Sequence, residues 1–157
     1  MVPTILIADV DRELCELYRQ FFSHHAWQVQ TSGGGLECLA RLRQSSPHVL
    51  ILDLQLPWGG ADGLLAVMRG DPSLAHIPVI LTSTEAPLEG LSGLVSPPVV
   101  QALWKPFSLT ALLEIVRSGL GKREPLSRKE RREPSPAVAM DVPGVRELRN
   151  NVDVVRS

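Results

Sequence analysis

Hydrophobic residues along this chain come in two rhythms. Short unbroken runs alternate with stretches in which apolar residues recur every three or four positions. The runs are Ile5-Leu6-Ile7-Ala8, Val49-Leu50-Ile51-Leu52 and, after Ile77-Pro78, Val79-Ile80-Leu81, while residues 99–103 predict a further strand. Runs of this length, rich in Val, Ile and Leu, predict strands buried on both faces, as in a parallel sheet covered by helices. Trp27-Gln28-Val29-Gln30-Thr31 alternates instead and predicts a further strand. Leu14, Leu17, Tyr18, Phe21 and Phe22 follow Arg12 at helical spacing. Leu36, Leu39, Ala40 and Leu42 mark a second helix, ended near Ser45-Ser46-Pro47. A glycine-rich loop over 58–63 leads to a short third helix carrying Leu64, Leu65, Val67 and Met68. Leu88, Leu91, Leu94 and Val95 stand among Pro87, Gly90, Gly93, Pro97 and Pro98. Each helical Gly costs about 1 kcal/mol relative to Ala, so only a short or frayed helix is expected there. Ser108 then caps a final helix bearing Leu109, Leu112, Leu113, Val116 and Leu120.

Strands alternating with helices imply right-handed crossovers and an α/β fold around a parallel sheet. Several chemically distinctive residues fall at the carboxyl ends of the strands. Asp9 follows the first run, Asp53 ends the central one, and Thr82-Ser83-Thr84-Glu85 follows the next. Lys105 follows the last. In open α/β sheets this edge is where ligands bind. A carboxylate on a buried strand costs free energy unless it is paired, solvated or metal-bound, which makes Asp53 the first candidate for function.

Composition narrows the field further. The chain has 157 residues, 44% of them hydrophobic, and a net charge of −1. One domain with an extension is expected, without the footprint of a whole-chain nucleic-acid binder. Residues 1–120 carry 7 Lys and Arg against 11 Asp and Glu, and residues 121–157 carry 9 against 6. Residues 121–134 hold six basic residues, three Glu and two Pro, which reads as a solvated linker. The expected division is a folded domain over 1–120 and a flexible charged tail over 121–157, with a short stretch near its end able to order. Cys15 and Cys38 share no metal or redox spacing and fit buried small residues of a reducing compartment. No apolar run is long enough for a membrane span. The first run meets Asp9 too early for a secretory signal, so a cytoplasmic protein is expected.

The order Ile-Leu-Ile-Ala-Asp, Leu-Asp-Leu-Gln-Leu-Pro, Asp-Gly, Ile-Pro-Val-Ile-Leu-Thr-Ser and Lys-Pro-Phe-Ser-Leu resembles the receiver domain of two-component response regulators over roughly residues 3–120. The resemblance implies a flavodoxin-like (βα)5 three-layer sandwich with sheet order 2-1-3-4-5. It implies a phosphoacceptor at Asp53 and a first pocket acid at Asp9. Gln55 would offer its backbone carbonyl to Mg²⁺, Ser83 its hydroxyl to the phosphoryl group, and Lys105 its charge to the phosphoryl oxygens. The implied donor is a sensor histidine kinase or a phosphotransfer protein. The implied output is contact with another protein, as yet unidentified, rather than with membrane or nucleic acid. No enzyme activity is expected beyond phosphorylation and dephosphorylation of the chain's own aspartate.

The chain departs from the family pattern at four places. Val10 stands where a second acid, the usual direct Mg²⁺ ligand, is found; Asp11, one residue on, is expected to face elsewhere and serve the start of the first helix. Fewer ligand charges imply a weakened metal site. Two extra residues lie between Pro57 and Asp62-Gly63. Ala102 occupies the place of a frequent Tyr or Phe, with Trp104 on the same strand face by the period of two. The expected fourth helix is rich in Gly and Pro. The alternative function is therefore a pseudo-receiver, an interaction module left unphosphorylated because of Val10. A flavin-binding electron carrier is disfavoured, since the strand-end carboxylates would repel a flavin phosphate.

Overall fold

The computed structural model describes residues 1–57, 60–85 and 93–120. Its elements are β1 (Thr4–Ala8), α1 (Arg12–His24), β2 (Gln28–Ser32), α2 (Gly35–Ser45), β3 (Val49–Asp53), α3 (Gly60–Gly70), β4 (Val79–Ser83), β5 (Val99–Trp104) and α4 (Leu109–Leu120). All strand pairs are parallel and the sheet order is β2-β1-β3-β4-β5. This is the order expected. The expected fourth helix falls largely on residues outside those described, and residues 94–98 run as turns. The tail over 121–157 also lies outside them.

The apolar runs form the middle of the sheet because both of their faces are covered. Ile5, Leu6, Ile7 and Ala8 are fully buried, as are Leu50 and Leu52. On one face, Leu6, Leu50, Leu52 and Leu81 pack with Cys38, Leu42, Leu65 and Met68 of α2 and α3. On the other, Ile5, Ile7, Ile51 and Ile80 pack with Tyr18 and Phe22 of α1 and Leu112 and Val116 of α4. Each such aliphatic side chain gains about 1.5–3 kcal/mol on full burial. Both cysteines are buried and free, as expected, and burial pushes the Cys38 thiol up to about 12.

Several boundaries differ from the sequence-based reading. The fourth strand begins at Val79, because Pro78 has no N–H to pair and Ile77 N donates into a turn at Leu74 O. It continues through Thr82 and Ser83, so Ser83 lies on the strand rather than beyond it. The second strand starts at Gln28, with Trp27 buried just before it. The third helix starts at Gly60, absorbing residues expected as loop; buried Ala61 supplies an extra apolar position. Gly60 has φ +59°, which a side chain would strain. Leu17, Leu36 and Val67, expected on buried faces, are exposed, and Cys15 and Cys38 point inward instead. The guanidinium of Arg69 donates to the carbonyls of Pro97, Leu94 and Ser96 at 3.0–3.2 Å, fixing this turn to the end of α3. The last helix starts as expected, with Ser108 Oγ accepting from Ala111 N at 3.4 Å.

Candidate functional site

The sheet's carboxyl edge gathers the polar residues that its interior excludes. Ala8 pairs with Leu52 in the register of β1 and β3, which sets Asp9 beside Asp53. Asp9 N donates to Ser32 O at 3.0 Å and Lys105 N to Ser83 O at 2.7 Å, so both residues are held by extensions of the strand ladders. Asp9 and Asp53 are only 4% and 2% exposed. Lys105 reaches over from the end of β5. Its Nζ donates to Asp9 Oδ2 at 2.7 Å and lies 3.7 Å from Asp53 Oδ2. Two carboxylates and one ammonium thus share a pocket largely closed to water.

Burial pushes the Asp53 carboxyl above its ordinary range, and the neighbouring Asp9 charge adds to this. Lys105 and the N–H of Gln55, which donates to Asp53 Oδ1 at 3.3 Å, oppose the shift without cancelling it. Asp53 is therefore a carboxylate whose charge is held at a cost, a property suited to a group that transfers that charge to an incoming electrophile. Asp9 Oδ1 accepts from Asp11 N at 2.9 Å.

Four of the residues singled out from sequence meet here: Asp9, Asp53, Lys105 and, through its backbone N–H, Gln55. Ser83 is 5% exposed at the same edge, but its hydroxyl is used elsewhere. Ser83 Oγ donates to Glu85 O at 3.2 Å and accepts from Glu85 N at 3.1 Å, closing a turn. Asp11 is engaged as the cap of α1, its Oδ1 accepting from Leu14 N at 3.0 Å. Val10 is 47% exposed at the pocket's rim and supplies no oxygen donor in its side chain.

The oxygen donors present suit a hard divalent cation: the carboxylates of Asp9 and Asp53 with a main-chain carbonyl such as that of Gln55. Among the described residues no three His, Cys, Asp or Glu side chains converge to hold a metal.

Sequence reasoning passed over several neighbours. Cys15 Sγ donates to Asp9 O at 3.6 Å, and its thiol is pushed up to about 11, first by burial and then by the Asp9 charge. Tyr18 is buried and stacked on Phe107 at 6.3 Å, its phenol pushed up first by burial and then by the Asp9 charge. Both were legible only as apolar helix positions. A polar cleft of about 520 Å³ opens between α1 and α2, lined by Asp9, Val10, Arg12, Ser32, Glu37 and Arg41. On the opposite face Ala102 is half-buried against the α3 side of the core. Beside it the Trp104 Nε1 is buried without a hydrogen-bond partner among the described residues. At the carboxyl ends of β3 and β4, Thr84 Oγ1 donates to Gln55 Oε1 at 2.7 Å.

Residues 5–117 match the family described as the response regulator receiver domain. The transcriptional regulatory protein TrcR of Mycobacterium tuberculosis (strain ATCC 25618 / H37Rv) is 30% identical over 125 residues, covering 79% of this chain and 48% of TrcR. The chain thus spans about half the length of that relative. The polar-differentiation response regulator DivK of Brucella ovis is 25% identical over 122 residues, covering 77% of this chain and 98% of DivK. A CheY-like response regulator receiver domain protein from Methanospirillum hungatei JF-1 superposes with a TM-score of 0.69 at 20% identity. That superposition covers 77% of this chain and 95% of the other, and bears on the fold.

Proposed function

This chain belongs to the response regulator receiver-domain family of two-component signalling, and we propose that it accepts a phosphoryl group on Asp53 and passes the signal on by contact with another protein. The observation that carries this reading is the buried Asp53 carboxylate, 3.7 Å from the Lys105 ammonium at the carboxyl end of the central strand. The donor would be a phosphohistidine on a histidine kinase or phosphotransfer protein. An Asp53 carboxylate oxygen attacks phosphorus, the P–N bond breaks, and its electron pair leaves with the imidazole. Charge then accumulates on the phosphoryl oxygens, where Lys105 offers a positive partner. Ser83 would add a hydroxyl donor once it leaves its turn with Glu85. Mg²⁺, when bound by Asp9, Asp53 and the Gln55 carbonyl, would mask the negative charge of the carboxylates. With Val10 at the rim and Asp11 engaged as a cap, that site would be weak.

The exposed Val10 also supports the second reading, a pseudo-receiver that acts by protein contact without being phosphorylated. The two are separated by incubation with acetyl phosphate and Mg²⁺, followed by hydroxylamine and peptide mass mapping. An acyl phosphate on Asp53 yields a hydroxamate there. A chain that yields none at any Mg²⁺ concentration is a pseudo-receiver.

A further inference from the structure

The polar cleft of about 520 Å³ between α1 and α2 takes no part in the reaction proposed for Asp53, although Asp9 borders both. Its size falls in the range of about 300–1,000 Å³ typical of small-molecule sites. Two helical faces supply its walls. Arg12, Glu16 and Arg19 recur at one-turn spacing along α1, and Glu37 and Arg41 do so along α2. Charged pairs at this spacing are usually a solvated surface. Here they are also tied to the backbone and strand at the floor of the cleft. Arg19 Nη2 donates to Thr31 Oγ1 of β2 at 2.9 Å. Arg41 Nε and Nη2 both donate to Glu37 Oε1, at 3.2 and 2.8 Å. Glu37 Oε2 in turn accepts from Gly33 N at 3.2 Å. The Glu37 carboxyl is held below its ordinary range, first by Arg41 and then by that amide, so the pair stays ionised at neutral pH. Two guanidiniums are thus positioned before any ligand arrives, which lowers the ordering cost of binding one.

The acids that line the cleft are already matched. Asp9 pairs with Lys105 at 2.7 Å, Glu16 with Arg19 at 3.6 Å and Glu37 with Arg41 at 2.8 Å. Arg12 is left over, with no ion pair among the described residues. The cleft therefore holds a surplus cation beside guanidiniums that carry more N–H donors than these contacts use. A bare inorganic anion would satisfy Arg12 but meet Glu16 and Glu37 as like charges. A phosphate carried on a hydroxylated body suits both kinds of group. Its phosphate takes the guanidinium forks, and its hydroxyls donate to the carboxylates. We propose that this cleft binds a small phosphate monoester of a sugar or nucleoside, its phosphate on Arg12 and its hydroxyls on Glu16 and Glu37. Arg19 and Arg41 flank it from the two walls. Among the described residues no aromatic side chain lines the cleft, so a nucleotide's base finds nothing to stack on and adds little.

The test is titration of the full chain with ribose 5-phosphate, AMP, ribose and inorganic phosphate, followed by calorimetry and by amide NMR shifts. Both esters should bind saturably and with similar affinity, moving the amides of Arg12, Ser32 and Gly33. Ribose should not bind, and inorganic phosphate should bind at least about tenfold more weakly, because it lacks the hydroxyls that the carboxylates accept from. Arg12→Gln should weaken the esters by about ten- to a hundredfold, the loss expected for a hydrogen-bonded charge. Arg43→Gln removes the same charge from α2 outside the cleft, where Arg43 lies 3.8 Å from Asp71, and should bind as wild type does. Absence of a saturable shift with either ester overturns the proposal. So does inorganic phosphate or ribose binding as tightly as the esters. Equal weakening by Arg12→Gln and Arg43→Gln overturns it too, since the ligand would then be reading net charge rather than this cleft.

Discussion

Lys105→Met removes the cation that pairs with both Asp9 and Asp53 while keeping an unbranched apolar stem. The Lys105 ammonium lies 2.7 Å from Asp9 and 3.7 Å from Asp53. At an effective dielectric near 20 those contacts correspond to about 6 and about 4.5 kcal/mol before desolvation is subtracted. The side chains involved are 14%, 3% and 2% exposed, so water screens them little. Desolvating all three groups offsets much of the attraction. What remains on truncation is the cost of leaving two carboxylates buried together, for which loss of one partner of a buried pair gives about 3–5 kcal/mol. The lower end is expected here, because Asp53, whose carboxyl burial already pushes up, can take up a proton. Thermal unfolding near pH 7 in EDTA should show a melting temperature lower by about 10 °C for a domain of this size. The deficit should shrink on acidification toward about pH 4, where protons neutralise what the ammonium no longer does. A loss under about 1 kcal/mol, or a deficit that grows with acid, would refute the view that Lys105 compensates this pair.

Asp53→Asn should stabilise the protein near neutral pH. The folded-state pKa of Asp53 is raised, chiefly by burial and then by Asp9, so its contribution to stability is present at low pH and is lost as pH rises through the raised value. The variant should therefore melt above wild type near pH 8, with the gap closing toward about pH 4; a lower melting temperature at the higher pH would contradict this. Val10→Asp should lower stability without metal, by adding a like charge beside Asp9, and should tighten Mg²⁺ binding so that the metal restores stability. Equal Mg²⁺ affinities by calorimetry would mean that position 10 supplies no ligand. Trp104→Phe deletes a buried N–H left without a partner among the described residues, so chemical denaturation should show a loss of no more than about 1 kcal/mol. A larger loss would mean that this N–H is paired.

The sheet was legible in the sequence because residues such as Ile5-Leu6-Ile7 and Leu50-Ile51-Leu52 are buried on both faces, and burial writes an unbroken apolar run. The cluster of Asp9, Asp53 and Lys105 was legible because each ends or follows such a run. Helix faces were less so. Leu17 and Leu36 carry the right chemistry at helical spacing yet face solvent, and their burial depended on neighbours that periodicity does not specify. The start of α3 was missed because Gly60 and Gly63 are weak helix formers, and packing of Ala61, Leu64 and Leu65 overrides that propensity. The bond from Thr84 to Gln55 joins residues 29 apart in sequence, so no local pattern could signal it. The state of the Ser83 hydroxyl was equally hidden, since it depends on the turn at Glu85.

The central claim is that Asp53 receives the phosphoryl group, and intact-mass measurement after incubation with acetyl phosphate and Mg²⁺ tests it most directly. Wild type should gain the mass of one phosphoryl group, wild type in EDTA none, and Asp53→Asn none under either condition. Wild type that stays unmodified at saturating Mg²⁺, or an Asp53→Asn variant that gains the same mass, would contradict the account.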